Sequence, residues 1–208
     1  MSSSDQYLTL SLVASQKNWH RYMTRKADSA FLAFQKKIYL RDKFTCRYCG
    51  FQSKKYIYTV NHDQNYGNNK AKNIMTCCSL CMQNFFLESI GQDPNTGGDI
   101  IFLPEVSQAD VNHFCRVLFL SMLRDAPYRG KLHTTYLSFK DRTKIVDEIF
   151  GPDSHTPNVF GQALIDSKIS AEQSQNSILQ HLRFLPDRKV LTEQILYWKK
   201  TVFDQIPL

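Results

Sequence analysis

The chain has 208 residues, of which 42% are hydrophobic and 22% are charged. A chain of this size can bury a core without a disulfide framework. Its composition is that of an ordinary globular protein, which excludes wholesale disorder and collagen-like or low-complexity repeats. The longest apolar run covers only residues 117–120, whereas a membrane-spanning helix needs about 20 apolar residues. We therefore expect one globular domain, or one domain with an extension.

The balance of charge is basic, because 26 lysines and arginines against 19 acidic residues give a formal net charge of +7. This balance permits an acidic partner but does not require one, and an evenly basic surface is the simpler interpretation. The start of the chain has neither a basic segment nor a long apolar core, so it does not resemble a secretory signal. We expect a cytoplasmic protein.

The N-terminal half is predicted to mix strands and helices. Leu8, Leu10 and Leu12 alternate with polar residues, which predicts a short strand over 7–13, and a helix is predicted over 29–41. The remaining predicted elements of this half are a strand at 56–60, a turn at 65–69, a helix at 82–91 that ends at Gly91, and a strand at 99–104.

The C-terminal half is predicted to be mostly helical. Ser107 followed by Asp110 is typical of a helix N-cap, and apolar residues then recur at helical spacing. Further helices are predicted at 134–150, from Pro157, from Ser170 and from Pro186. We expect an α+β fold with an N-terminal α/β region at 1–106 and a helical region at 107–208, packed together as one domain.

Two cysteine pairs carry the clearest chemistry. Cys46 and Cys49 form one C-x2-C knuckle, and Cys78 and Cys81 form a second. Two such knuckles supply four thiolates, which is the ligand set of a structural zinc site. A disulfide framework is not expected in the cytoplasm, and no thioredoxin-like unit surrounds either pair. We predict one structural Zn²⁺ ion held by all four cysteines.

Two further cysteines need separate interpretations. Cys77 adjoins Cys78 and could replace it as a ligand, although Cys78 gives the same spacing as the first knuckle. Cys115 lies among apolar residues at helical spacing, which is typical of a buried cysteine without a metal. Since four thiolates fill the coordination sphere of zinc, the predicted site leaves no open position for a substrate or for water.

The segment around the knuckles resembles the HNH endonuclease fold. The matching stretches are RDKFTCRYCG at 41–50, VNH at 60–62, Asn73 with Ile74, and CSLC at 78–81. The resemblance implies a ββα zinc core over about 29–91 with short strands, and a separate catalytic metal beside it. It also implies that His62 stands where the family has its water-activating histidine and that Asn73 stands at the family's middle asparagine.

The resemblance fails at the positions that would hold the catalytic metal. Asn61, a neutral amide, stands where the family has an aspartate or histidine, and Met82, a thioether, stands where it has a histidine. Hard divalent cations prefer oxygen ligands, and Asp63 lies one place past His62. We therefore predict a retained zinc scaffold without a nuclease centre, so the protein is not expected to be an enzyme.

The whole chain is similar to a more specific family, the IcmJ/DotN proteins of Dot/Icm type IVB secretion systems. The similarity is densest at RDKFTCRYCGFQ (41–52), NNKAKNI (68–74), FFLESIG (85–91), FLPE (102–105), VLF (117–119), SFKDR (138–142), FGQALIDS (160–167) and FLP (184–186). It implies a non-catalytic adaptor in the coupling-protein complex, peripheral to the inner membrane through that complex. It also implies binding to the C-terminal tail of the coupling ATPase DotL, alongside DotM and the IcmS–IcmW pair, in support of effector-protein recruitment.

An alternative function is a metal-dependent HNH nuclease or a DNA-binding module, which His62, the knuckles and the basic charge would suit. The adaptor hypothesis expects no nucleic acid as a partner. A peptide tail could bind either as an added strand at a sheet edge or as an amphipathic helix in a groove. The sequence favours neither mode.

Overall fold

The computed structural model describes residues 7–123, 126–167 and 178–202 of the chain. Its N-terminal half contains α1 (Gln16–Lys26), α2 (Ser29–Arg41), β1 (Ile57–Asn61), β2 (Ile74–Cys78), α3 (Ser79–Met82) and β3 (Gly98–Phe102). The C-terminal half contains α4 (Gln108–Ser121), α5 (Arg129–Asp141), α6 (Thr143–Phe150), α7 (Pro157–Ser167), β4 (Leu182–Pro186) and α8 (Thr192–Thr201). Short antiparallel strands followed by a helical region confirm the predicted α+β class. No helix in these segments is both long enough and apolar enough to cross a membrane.

The first sheet is a hairpin of β1 and β2, which pair antiparallel from Ile57 opposite Cys78 to Asn61 opposite Ile74. Because α3 follows β2 directly, the chain shows the ββα order that the HNH resemblance implies. Membership of the HNH fold itself stays a prediction. The hairpin brings the end of β2, which carries the second knuckle, beside the first knuckle, since the Arg47 amide donates to the Thr76 carbonyl at 2.9 Å.

The second sheet joins the two halves of the chain. β3 and β4 pair antiparallel from Gly98 opposite Pro186 to Phe102 opposite Leu182. β4 lies in the region predicted to be helical and was not foreseen from its sequence. The boundary predicted near residue 106 stays a prediction, and this sheet ties together the residues on either side of it.

Polar side chains set several helix starts. The Asp28 carboxylate accepts from the amides of Ala30 and Phe31 and begins α2. Ser107 Oγ accepts from the Asp110 amide and begins α4, as the sequence predicts. Such caps satisfy amides that have no partner inside the helix. At the C-terminal end of α6, Gly151 adopts a φ of 102°, a left-handed conformation that favours glycine.

The core divides into two clusters of buried side chains. The larger cluster surrounds the cysteines and contains many of the aromatic residues, including Phe86, Phe119 and Trp198. The smaller cluster lies where α6 and α7 pack on the β3–β4 sheet and the turn before it; its members are Leu87, Ile90, Ile100, Val146, Phe160, Leu182 and Phe184. The cysteine site is therefore part of the main core and not a surface appendage.

The predicted N-terminal strand is wrong as secondary structure but right about which side chains point inward. Residues 7–15 form no strand, although Leu8, Leu10 and Leu12 are half-buried while their neighbours Thr9 and Ser11 are exposed. The segment is fixed by isolated bonds, among them Leu8 amide to Arg47 carbonyl at 2.9 Å. Because no strand in the described part of the chain pairs with this segment, its alternating side chains are not accompanied by the backbone hydrogen bonds of a sheet. The helix that follows, α1, was not predicted.

Two predicted helices have different shapes in the structure. The helix expected at 82–91 consists of the one-turn α3, which begins earlier, and two 3-10 turns at Gln83–Phe85 and Leu87–Ser89. The helix expected at 134–150 is two helices, α5 and α6, with a break at Arg142. The helix predicted from Ser170 begins outside the described residues. The one predicted from Pro186 begins as a 3-10 turn, Arg188–Leu191, capped by Asp187, and continues as α8.

Gly161 is predicted to be essential for packing α7 against the 3-10 turn at Leu87–Ser89. A Cβ at this position would lie 2.6 Å from the Glu88 amide nitrogen and 2.9 Å from the Leu87 carbonyl carbon. Because backbone atoms cannot swing aside, we expect Gly161→Ala to lower the free energy of unfolding by about 1–3 kcal/mol. Urea denaturation measures this. Gly130→Ala in α5 meets no atom within 4 Å, so this control should be neutral or slightly stabilising.

Candidate metal centre

The two knuckles are built from a tight turn and from the junction of β2 with α3. In the first, the Cys46 amide donates to the Phe51 carbonyl and the Gly50 amide donates to the Cys46 carbonyl, both at 2.9 Å. Gly50 adopts a φ of 73°, which closes the turn in a conformation that costs glycine little. In the second, Cys78 is the last residue of β2 and Cys81 lies in α3.

The four predicted ligands come together in the structure. The sulfur atoms of Cys46, Cys49, Cys78 and Cys81 all lie within 4.8 Å of one another, and all four residues are buried. The Cys49 and Cys78 sulfurs are 3.7 Å apart. Zn–S bonds of about 2.3 Å in a tetrahedron place sulfurs about 3.8 Å apart. The group could therefore hold a metal ion, and its donors and spacing suit zinc.

The thiols of this group influence one another strongly. Burial raises the pKa of Cys46, but hydrogen bonds from Cys49 and its neighbours outweigh this, so the pKa lies well below its ordinary value. The pKa of Cys49 is raised, first by its hydrogen bond with Cys46, and burial raises that of Cys81. A metal ion bound here would displace the thiol protons, because the thiolate is the form that ligates.

The other two cysteines are not among the four, although the Cys77 thiol also interacts with those of Cys46 and Cys81. Cys77 Sγ is 3.6 Å from the Cys78 carbonyl oxygen, to which it donates, and burial raises its pKa. Cys115 is fully buried in α4, and burial raises the pKa of its thiol too. The grouping therefore favours Cys78 over Cys77 as the ligand, and it agrees with the interpretation of Cys115 as a core residue.

A second layer of polar groups from α4 covers the cluster. Asn112 Nδ2 donates to Cys81 Sγ at 3.2 Å, and Arg116 Nη2 donates to Cys78 Sγ at 3.5 Å. His113 Nε2 lies 2.7 Å from the Cys49 carbonyl oxygen, and Arg116 Nη1 lies 3.2 Å from His113 Nδ1. Burial lowers the pKa of Arg116, but the cysteine sulfurs more than offset this, so its pKa is raised. Helix α4 is thus fastened to the knuckles by hydrogen bonds to sulfur.

The two positions where an HNH enzyme would have metal ligands are engaged by helix α1. At the end of β1, Asn61 Oδ1 accepts a short hydrogen bond from the Arg25 guanidinium, which also donates to the Thr59 carbonyl at 2.7 Å. At the end of α3, Met82 Sδ accepts from the Tyr22 hydroxyl at 3.5 Å. Burial lowers the pKa of Arg25. A guanidinium therefore contacts the residue at the predicted ligand position.

The other two predicted positions lie on the loop between β1 and β2. His62 is exposed, and its amide donates to the Asn73 carbonyl at 2.8 Å. Asn73 Nδ2 donates to Asp63 Oδ1 at 2.9 Å, and Asn68 Nδ2 donates to Asp63 Oδ2 at 2.7 Å. Slight burial raises the pKa of Asp63, but these bonds and one from the Asn65 amide outweigh it, so the pKa is lowered. The carboxylate of Asp63 is thus occupied in shaping the loop.

Comparison with known proteins identifies the family. No family model matches the chain. It is 39% identical over 206 residues, 99% of this chain and 96% of the relative, to a Legionella pneumophila protein described as "Type 4 apparatus protein DotN". The chain belongs to the DotN family. The resemblance noted from the sequence motifs is thereby confirmed, and it extends over nearly the entire length of both proteins.

Sequence reasoning found the four cysteines that come together in this DotN-family protein but missed the residues around them. Asn112, His113 and Arg116 lie on one helix, far from either knuckle along the chain, and Arg25 lies on a helix that was not predicted. One signal was present: Arg116 interrupts the apolar run FCRVLFL at 114–120. A charge on the buried side of a helix needs a partner.

Proposed function

We propose that the protein is a non-catalytic, zinc-stabilised adaptor subunit of a type IVB coupling-protein complex. In this role it binds the C-terminal tail of the coupling ATPase, DotL, alongside DotM and the IcmS–IcmW pair, and supports recruitment of effector proteins. The observation that carries the proposal is the 39% identity, over 99% of the chain, to a type 4 apparatus protein. An adaptor needs stable surfaces and no reaction centre, and the candidate metal centre fits that requirement.

The four cysteines support a structural role for the metal. Four thiolates complete the tetrahedral sphere of zinc, and when bound the ion supplies cross-links between the first knuckle, β2 and α3. These elements lie in the main core beside α4 and α8. Metal binding would therefore stabilise the packing of the whole chain and not only the knuckles.

The contacts of α1 support the absence of a nuclease centre. Asn61 is fully buried, and its amide nitrogen donates to the carbonyls of Asn65 and Asn68 at 2.8 and 2.9 Å. Its oxygen accepts from Arg25. Both polar atoms of its side chain are thus committed to the loop and to α1. A positive guanidinium beside this position would repel a divalent cation.

We place the protein in the cytoplasm, held at the inner membrane only through its complex. The net charge of +7 would speed encounter with an acidic peptide tail. No nucleic acid is expected as a partner, because an adaptor in this role binds other proteins.

Affinity purification tests the proposal. Full-length tagged protein, recovered from detergent-solubilised cells of its own organism and examined by mass spectrometry, should bring down the coupling ATPase together with its companion subunits. An untagged strain gives the background. Recovery of none of these proteins would contradict the adaptor role. Plasmid cleavage that needs a divalent metal and disappears in His62→Ala would instead establish the nuclease alternative.

A further inference from the structure

Arg116 is a buried cation that contacts a cysteine sulfur, an imidazole and two aromatic rings. Its residue is only 2% exposed. No ion pair links it to a carboxylate within the described part of the chain. One guanidinium nitrogen reaches Cys78 Sγ and another reaches His113 Nδ1, while Nε has no partner. A buried guanidinium is costly unless a negative charge faces it, so the sulfur cluster must supply that charge.

The charge of a loaded cluster matches this requirement. Zinc holds all four of its cysteine ligands as thiolates, so an ion of charge +2 within four thiolates leaves a net charge of −2. The cluster is buried, and a buried negative charge needs a counter-charge as much as Arg116 does. Within the described residues, Arg116 is the only cation that hydrogen bonds to one of these sulfurs. Asn112 adds a neutral donor.

The position of Arg116 connects this charge balance to the packing of the helical region. Its guanidinium carbon lies 3.7 Å from the ring centroid of Phe51, which follows the first knuckle, and 5.5 Å from that of Trp198 on α8. Phe51 and Trp198 pack edge to face at 5.3 Å, and Trp198 is fully buried. The guanidinium thus lies at the junction of the knuckle, α4 and α8.

We propose that Arg116 is the counter-charge of the metal-loaded cluster and that it makes the docking of α4 and α8 depend on metal loading. This rests on the proposed zinc site. With zinc bound, the guanidinium faces a fixed negative charge and holds both helices against the knuckles. Without the ion, no fixed charge of −2 faces the guanidinium, and a buried cation with a weaker counter-charge favours separation of the helices. Arg116 therefore acts as a positioning residue and a sensor of loading.

Two readouts on the full-length chain test this. The first is the affinity for zinc, measured by competition with a colorimetric chelator. The second is the fluorescence emission of Trp198, made the sole tryptophan by Trp19→Phe, since the chain has two. The variants are Arg116→Met, which removes the charge but keeps an apolar side chain, Arg116→Lys, which keeps the charge, and Asn112→Leu, which removes only a neutral donor.

The expected results differ between loaded and metal-free protein. Arg116→Met should bind one zinc ion with about 10- to 100-fold lower affinity, as expected when a residue behind the ligands is lost. Arg116→Lys should stay near the parent affinity, and Asn112→Leu should lose less than Arg116→Met. On removal of zinc, the parent emission should shift to longer wavelength as Trp198 meets water. The emission of metal-free Arg116→Met should shift less, because no buried cation then opposes packing.

Three outcomes would overturn the proposal. One is an Arg116→Met variant that binds zinc as tightly as the parent. Another is an Arg116→Lys variant that binds zinc as weakly as Arg116→Met, because the charge would then be irrelevant. If Arg116→Met fails to fold, an Arg116→Lys variant that binds zinc at least about 10-fold more weakly than the parent overturns the proposal in the same way. The third is a metal-free Arg116→Met protein whose Trp198 becomes as exposed as in the metal-free parent. A parent that takes up no zinc would overturn both this proposal and the metal site on which it rests.

Discussion

Replacing a single ligand, as in Cys49→Ser, should abolish stable metal binding and unfold much of the protein. Zinc binding to such sites contributes about 10 kcal/mol or more to folding, which is comparable with the whole stability of an ordinary domain, about 5–15 kcal/mol. Cys49 is buried beside Cys78, with 3.7 Å between their sulfurs, so a serine there also leaves a poor ligand in the core. We expect a zinc content far below one ion per chain and a free energy of unfolding that is lower by at least about 5 kcal/mol.

Metal analysis of purified protein and thermal unfolding followed by circular dichroism measure these two effects. Cys115→Ser and Cys77→Ser are the matched controls, since both residues are buried cysteines outside the group of four. Each should keep its full zinc content and lose some stability, because each places a hydroxyl in an apolar setting. A Cys49→Ser protein with native zinc content and melting behaviour would show that the ligand set is wrong. Loss of zinc in Cys77→Ser, with retention of zinc in Cys78→Ser, would show that Cys77 and not Cys78 is the ligand.

Arg25→Ala should destabilise the protein by about 3 kcal/mol or more. The guanidinium satisfies Asn61 Oδ1 and the Thr59 carbonyl, and each buried acceptor left without a donor costs about 1–3 kcal/mol. It also lies against the rings of Phe31 and Tyr66, at 4.5 and 4.6 Å from their centroids. Removing it therefore takes away packing between α1, α2 and the hairpin loop as well as hydrogen bonds.

Urea denaturation of the zinc-loaded protein measures the free energy of unfolding. Arg21→Ala is the control, because Arg21 lies one turn earlier on α1 and is exposed; it should change stability by no more than about 0.5 kcal/mol. The zinc content of Arg25→Ala should stay at the parent value, because the hydrogen bonds of Arg25 go to Asn61 and Thr59 and not to the four cysteines. If Arg25→Ala were as stable as Arg21→Ala, α1 would not hold the loop in the way described.

The four cysteines of the candidate metal site could be found from the sequence because each knuckle is a local pattern. Two cysteines separated by two residues can share one ion wherever the knuckle lies, so Cys46 with Cys49 and Cys78 with Cys81 needed no knowledge of the fold. Helix caps were predictable for the same reason, since Ser107 accepts from Asp110 only three residues away. Local hydrogen bonds leave local patterns.

The rest of the site depends on contacts between distant parts of the chain. Arg116 reaches Cys78 and Arg25 reaches Asn61 only after α4 and α1 have packed, and no local spacing records either pair. β4 is similar: its partner β3 lies some eighty residues earlier, and pairing is decided by packing on α6 and α7 more than by strand propensity. The alternation at residues 7–13 gave the correct buried side but could not show that no strand lies beside it.

The cysteine site and the contacts of α1 support the proposed adaptor role. One candidate metal site lies in the core, and α1 engages Asn61 and Met82, where a nuclease would have metal ligands. The surfaces of such a protein can carry binding while its interior supplies stability. Its identity to a type 4 apparatus protein over almost its full length fits that division of labour.

The most direct test of the account is binding between the purified protein and the purified C-terminal tail of the coupling ATPase from the same organism. Isothermal titration calorimetry with full-length, zinc-loaded protein should give saturable binding, and the two should co-migrate in size-exclusion chromatography. Metal-free protein should bind weakly or not at all. Absence of both binding and co-migration, from protein shown to be folded and zinc-loaded, would contradict the adaptor function.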